Sequence, residues 1–183
     1  MFCSSVVLGR EHSQVAQRDL ARDARGRTRV RFGVGRLLGG AKMKHLSSIE
    51  DQDFRREFET CRFSPAEFNH RAHIRLAYVY LSVYDTDTAH QFMRSALLTF
   101  LEHHGVDLSK YHETMTKAWI EAVRHFMENT PSGESSDLFI EKNPRMLDPK
   151  IMMTHYSAEV LFSDEARAKY VEPNLDPIPK YRR

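Results

Sequence analysis

Residues 68–81 read FNHRAHIRLAYVYL, and this stretch decides the fold class. Its apolar residues recur at intervals of three and four, the spacing that places them on one side of a helix. In the preceding tetrapeptide SPAE, Ser64 suits an N-cap and Pro65 suits the first helical position, and the glutamate three residues after the cap completes a capping box. The sequence therefore predicts a helix over about residues 65–84.

Two more long helices are predicted downstream. The second begins at Asp87 and stops at Gly105, a residue that tolerates the left-handed backbone of a helix end. The third runs from near Ser109 to about residue 128, with Trp119 among its apolar residues at helical spacing. Because short connections make successive helices antiparallel, the three helices should form one bundle.

Shorter helices surround these three. One precedes them, with Phe54, Phe58 and Cys61 on one face, and several capped segments follow them between residues 136 and 171. No run alternates apolar and polar residues for long enough to predict a β-strand. We therefore predict an all-α fold, a single helical bundle of three long helices plus several short ones over residues 43–175, followed by an extended C-terminal tail at 176–183.

The first 42 residues differ in composition from the rest of the chain. They hold nine Lys and Arg against three Asp and Glu, whereas the remainder holds 18 against 22. The segment RDARGRTRVRFGVGRLLGGAK is rich in Arg and Gly and lacks periodic apolar residues, which is typical of a chain that cannot form a core. We predict a disordered basic tail at 1–42. It is an arm that touches nucleic acid, an Arg-rich transit peptide, against which Glu11, Asp19 and Asp23 count, or a dispensable segment upstream of a start at Met43.

The overall composition favours one intracellular globular domain plus some extra chain. The 183 residues are 41% hydrophobic and 28% charged, and no apolar run reaches the roughly 18 residues of a membrane span. The two cysteines, Cys3 and Cys61, lie on opposite sides of the Arg- and Gly-rich segment and do not indicate a disulfide framework. We therefore expect a cytoplasmic protein that does not insert into a membrane.

Three histidines point toward one end of the predicted bundle. His70 and His73 share a stripe of the first long helix, and His112 extends the inward stripe of the third helix. The first and third long helices should be parallel, so their N-terminal ends lie at the same end of the bundle. A single inward histidine is usually a hydrogen-bonded core residue, but three that converge from separate helices suit a shared metal ion.

We predict a metal site whose ligands are His70, His73 and His112. Imidazole-rich sites favour divalent transition metals, here Zn, Fe or Mn, over Ca or Mg. A shared ion would also satisfy buried ring nitrogens that each cost about 1–3 kcal/mol when unpaired. The helix dipole keeps His112 neutral, as a metal ligand must be. His104 and His155 are two further histidines that could join this site.

Glu113, beside His112, is the predicted catalytic residue, either as a metal ligand or as a general base. The structural alternative is that a glutamate in a first helical turn stabilises any helix through its dipole. Two histidines with a carboxylate suit non-haem iron and oxygen chemistry, whereas three histidines with a metal-bound water suit hydrolysis. The sequence leaves both chemistries open.

The run FNHRAHIRLAYVYL together with KYHETMTKAW at 110–119 resembles a pattern of small bacterial helical proteins. In these proteins an F-x-H-x-x-H run is followed further along the chain by Y-H-E-T. The resemblance covers about residues 50–175 and draws attention to the same three histidines and to Glu113. It implies no particular reaction.

These features predict a metal-dependent enzyme that acts on a small organic substrate by hydrolytic or oxidative chemistry. The alternative is a metal-free helical interaction protein. In that case the inward histidines would pair with Glu67, Glu113 or backbone carbonyls, and the basic tail could touch nucleic acid.

Overall fold

The computed structural model describes residues 45–181, in which the chain forms α-helices, short 3-10 turns and no β-strand. The α-helices are α1 (Ile49–Glu59), α2 (His70–Val83), α3 (Thr86–His103), α4 (Glu113–Asn129), α5 (Ser136–Lys142), α6 (Ala158–Leu161) and α7 (Asp164–Ala168). The predicted all-α fold with three long helices, α2, α3 and α4, is confirmed. The basic tail predicted at residues 1–42 lies outside the described residues.

Side-chain caps explain several helix ends. α1 begins with a capping box in which the side chains of Ser48 and Asp51 each accept a hydrogen bond from the other's backbone N–H. Asp85 caps α3 by accepting from the Thr88 N–H at 2.8 Å. After α3, Gly105 adopts a φ of 63°, a left-handed conformation that glycine takes without strain. The predicted stop of this helix is therefore confirmed.

α2 begins at His70, later than the predicted start near residue 65. Pro65–Glu67 form only a 3-10 turn, and the Ser64 side chain makes no cap hydrogen bond. The backbone leaves the helical region at Phe68, with φ −79° and ψ 76°, where the ring packs against the core. Asn69 caps α2 instead, by accepting a backbone N–H at 3.1 Å. Aromatic packing thus overrides the local capping signal.

α4 likewise begins at Glu113 rather than near Ser109. Leu108–Lys110 form a separate 3-10 turn, and His112 is the N-cap of the helix. His70 is therefore the first residue of α2, and His112 directly precedes α4. Because α2 begins five residues later than predicted and α4 four residues later, the offset between these two histidines along the bundle changes by only about 1.5 Å.

α2 is the central helix of the bundle. From Ile74 to Leu81 every residue except Arg75 is at most 2% exposed, and the helix packs against α1, α3, α4 and α5. The short connections make α3 antiparallel to α2 and α4 parallel to it. Although α2 is apolar, neither it nor any other helix within residues 45–181 has the length and apolar character needed to cross a membrane.

Asp51 ties α1 to two other helices. Its carboxylate is 1% exposed and accepts from the Ser136 N–H at 2.8 Å, from the Ser136 hydroxyl, and from Arg75 Nε at 3.0 Å. Burial alone would raise the pKa of Asp51, but these hydrogen bonds outweigh burial and hold the pKa below its usual value. One charged group therefore anchors both α2 and the start of α5 to α1.

The C-terminal segment packs against the bundle although it contains no helix up to residue 181. Ile178 is 4% exposed. The Tyr181 hydroxyl lies 2.9 Å from His125 Nδ1, and the Thr86 hydroxyl donates to the Tyr181 carbonyl at 3.4 Å. The end of the described chain is thus held against α3 and α4.

We expect Asp51→Asn to lower the free energy of unfolding by about 1–3 kcal/mol near neutral pH, because the neutral amide removes the counter-ion of Arg75 and presents only one oxygen to the four donors on Ser48, Arg75 and Ser136. Urea unfolding measures the change. Asp53→Asn is the matched control, since Asp53 pairs with Arg56 on the exposed side of the same helix. Equal unfolding midpoints for the two variants would contradict the anchoring role of Asp51.

Candidate functional site

A cavity of about 420 Å³ lies between the N-terminal ends of α2 and α4 and the C-terminal half of α3. Its apolar lining consists of Phe68, Met93, Leu97, Leu101, Met115, Trp119 and Pro149. Its polar lining consists of Asn69, His70, His73, Lys110, Tyr111, His112 and Thr116. All three histidines predicted as metal ligands line this one space, which we call the histidine cavity.

His70 has one ring nitrogen engaged and one without a partner. Its Nε2 lies 2.9 Å from the Met146 carbonyl oxygen. Because a carbonyl only accepts hydrogen bonds, Nε2 carries the proton of the neutral ring. Nδ1 is then an acceptor, and it has no hydrogen-bond partner among residues 45–181. The ring also lies against Trp119, with ring centroids 4.7 Å apart.

His73 has the opposite arrangement of its two nitrogens. Its Nδ1 donates to the Asn69 carbonyl at 3.0 Å, and Nε2 has no partner in the described part of the chain. Its ring lies against Phe68, with centroids 3.9 Å apart. Burial lowers the pKa of His73 below the usual 6.5, more than the hydrogen bond to Asn69 raises it. The ring is therefore mostly neutral near pH 7.

His112 uses both ring nitrogens to hold the structure together. Nδ1 accepts from the Met115 N–H at 3.2 Å, which caps α4, and Nε2 donates to the Leu161 carbonyl at 2.9 Å. Burial lowers the pKa of His112, which keeps Nδ1 unprotonated for its capping role. His112 therefore joins the start of α4 to the end of α6.

Glu113 is engaged on the α3 side rather than in the cavity lining. One carboxylate oxygen accepts from the Tyr111 hydroxyl at 2.8 Å and from Arg94 Nε at 2.9 Å, and the other lies 3.0 Å from His90 Nε2. Burial lowers the pKa of His90. Tyr111 connects the histidine cavity to the Glu113 carboxylate, because it lines the cavity and also donates to Glu113. The role of Glu113 as a base or a metal ligand stays a prediction.

The histidine cavity offers two ring nitrogens to a metal rather than three. These are Nδ1 of His70 and Nε2 of His73, since both nitrogens of His112 are engaged. Within residues 45–181 no group of three or more His, Cys, Asp or Glu side chains is arranged to hold a metal ion. A three-histidine site would require His112 to release a hydrogen bond, so the predicted Zn, Fe or Mn centre stays a prediction.

The two further histidines considered from the sequence do not line the cavity. His104 packs against Phe100 with ring centroids 4.5 Å apart. His155 donates through Nδ1 to the Asp176 carbonyl at 2.8 Å. Both are held by contacts elsewhere in the fold.

Sequence reasoning missed the groups that control the ring nitrogens. The carbonyls that accept from His70 and His112 belong to Met146 and Leu161. Any residue type supplies a carbonyl, so no side-chain pattern marks these positions. Asn69 was also missed, although asparagine is a common N-cap and directly precedes the helix.

We expect His112→Ala to lower the free energy of unfolding by about 1–3 kcal/mol, because α4 loses its cap and the Leu161 carbonyl loses its donor. His112→Asn should recover about 1 kcal/mol of this loss, since asparagine caps helices well. Urea unfolding with and without EDTA measures both variants.

Two outcomes would contradict the capping role. One is an asparagine variant no more stable than the alanine variant. The other is that EDTA lowers the stability of the wild type by as much as the His112→Ala substitution does. A helix cap needs no metal, so EDTA should have no such effect.

No known protein family, curated protein or solved structure matches this chain. The resemblance of the two histidine motifs to small bacterial proteins therefore stays a prediction. Function is inferred below from the geometry of the histidine cavity.

Proposed function

We propose that this protein binds a small organic molecule in the histidine cavity and that His70 and His73 perform acid–base chemistry on it. The observation that carries the proposal is that both rings line one cavity and each has a nitrogen without a partner among the described residues. An unpaired polar atom in a largely apolar cavity is commonly a place where a ligand is oriented.

Backbone carbonyls support this proposal by setting the proton positions. Each carbonyl accepts from one nitrogen of its histidine, at 2.9 Å for His70 and 3.0 Å for His73. The other nitrogen of each neutral ring therefore has a lone pair. Two such lone pairs with defined orientation are the starting state for proton abstraction from a substrate.

The surroundings of His73 favour its neutral form. The lowered pKa of His73 keeps its ring unprotonated near pH 7, so a proton can be taken from a substrate directly. No carboxylate lines the described cavity, so no neighbouring negative charge stabilises a protonated ring. The proposed reaction class is proton transfer on a small organic substrate.

We expect a small aromatic probe, 4-methylanisole, to slow the modification of His70 and His73 by diethyl pyrocarbonate, which attacks unprotonated ring nitrogens. His103 is the internal control, because it is exposed and lies outside the cavity lining. Mass spectrometry of the modified peptides gives the rate at each histidine. His112 should react slowly with or without the probe, since both of its nitrogens are engaged.

The proposal fails if a saturating concentration of the probe leaves the rates at His70 and His73 unchanged. It also fails if His112 reacts faster than both.

A metal-dependent enzyme is the second candidate function. Its supporting observation is that His70 and His73 each donate the second ring N–H to a backbone carbonyl, an arrangement common among metal-binding histidines. These two rings would hold Zn, Fe or Mn, and the third ligand would come from the substrate or from His112 after it leaves its cap. Such an ion would supply a Lewis acid or a redox centre for the substrate.

Elemental analysis of protein purified without a histidine tag tests this second function. If this second function holds, the wild type will contain about one equivalent of Zn, Fe or Mn. His73→Phe will then lose metal, whereas His103→Phe, which changes an exposed histidine outside the cavity, will not. Wild-type protein that stays free of metal after incubation with each ion would exclude the metal-dependent function and leave the metal-free acid–base function standing.

Cys61 supports the cytoplasm as the proposed location. It is a buried free thiol, and its Sγ donates weakly to the Thr99 carbonyl at 3.9 Å. A reducing compartment keeps such a thiol in this form.

A further inference from the structure

We infer that the ligand of the histidine cavity is a neutral molecule with an apolar, ring-sized body and a hydroxyl or N–H that donates a hydrogen bond. A free carboxylate does not fit the same positions. This inference rests on the proposed function and adds the chemical class of the molecule that is bound.

The two unpartnered imidazole atoms are both acceptors. Nδ1 of His70 and Nε2 of His73 have lone pairs, because the protons of both rings are committed to the carbonyls of Met146 and Asn69. A carboxylate also offers only lone pairs, so its negative oxygens and these ring nitrogens would repel each other. A hydroxyl or an N–H supplies the proton that either nitrogen can accept.

The other polar groups of the wall do little to attract an anion. The Tyr111 hydroxyl already donates to Glu113, and the Thr116 hydroxyl donates to the His112 carbonyl at 2.9 Å. The Lys110 ammonium group and the side-chain NH2 of Asn69 belong to exposed residues, so water already solvates both donors. An anion entering the cavity would give up its hydration without enough donors to replace it.

Trp119 supplies a donor. Its indole Nε1–H has no hydrogen-bond partner among residues 45–181, and the residue is 7% exposed and lines the cavity. A ligand that combines one donor with one weak acceptor, as a phenol does through its single oxygen, matches the pattern of two lone pairs and one N–H.

The walls suit a flat apolar body. A volume of about 420 Å³ is at the small end of the range of ligand sites. Phe68 and Trp119 present aromatic surfaces, and the sulfur-containing Met93 and Met115 also line the cavity. Aromatic rings pack favourably on both kinds of side chain.

Three probes with the same ring and methyl group test the inference by isothermal titration calorimetry near pH 7.5. They are 4-methylphenol, which donates a hydrogen bond, 4-methylanisole, in which a methyl group replaces that proton, and 4-methylbenzoate, which is an anion. We expect the phenol to bind about fivefold tighter than the anisole, the gain from one hydrogen bond. The benzoate should bind weakest of the three.

Two variants locate the effect. His73→Phe and His70→Phe keep an aromatic ring but remove the acceptor, so at least one of them should bring the phenol-to-anisole ratio of affinities close to one. His103→Phe should leave the ratio unchanged. The ratio stays informative even where the added bulk lowers the affinity for both probes equally. If a variant does not fold, the three affinities of the wild type still test the ligand class.

The outcomes separate this inference from the proposed function. Equal binding of phenol and anisole, or tightest binding of the benzoate, overturns the ligand class and leaves small-molecule binding intact. An unchanged phenol preference in both histidine variants also overturns the inference. Failure of all three probes to bind overturns the proposed function and the ligand class together.

Discussion

The histidine cavity depends on where two parallel helices begin. A 3-10 turn precedes each helix, and Asn69 and His112 cap the starts of α2 and α4. His70 is therefore the first residue of α2, and His112 directly precedes α4. These caps satisfy N–H groups that a helix start otherwise leaves unpaired. They also place the first turns of α2 and α4 around one space.

Backbone carbonyls then decide what each ring can do. The partners of His70 and His112 lie 76 and 49 residues further along the chain, whereas the partner of His73 lies only four residues before it. In His112, Nδ1 caps α4 and Nε2 donates to the Leu161 carbonyl, so the ring holds α4 and α6 together. His70 and His73 each keep a lone pair. Three rings that look equivalent in the sequence therefore differ in chemistry because their hydrogen-bond partners differ.

The placement of Glu113 keeps its carboxylate out of the lining of the histidine cavity. Arg94, Tyr111 and His90 surround its carboxylate on the α3 side, so the charge is balanced outside the cavity lining. A carboxylate among the imidazoles would have favoured their protonated forms. With Glu113 engaged elsewhere, the neutral rings and the apolar wall suit an uncharged ligand, and Tyr111 is the contact between the cavity and the charged cluster.

The sequence by itself determined the helical class, the three long helices, the stop at Gly105 and the end of the bundle that the histidines occupy. These features follow from periodicity and turn chemistry, which act between residues a few positions apart. It misplaced the starts of α2 and α4. At α2, the ring of Phe68 packs against the core, and this packing overrides the local capping signal of Ser64 and Pro65. Only the tertiary structure decided which ring nitrogens are engaged, since the carbonyls of Met146 and Leu161 come from distant segments and no side-chain type identifies a carbonyl acceptor.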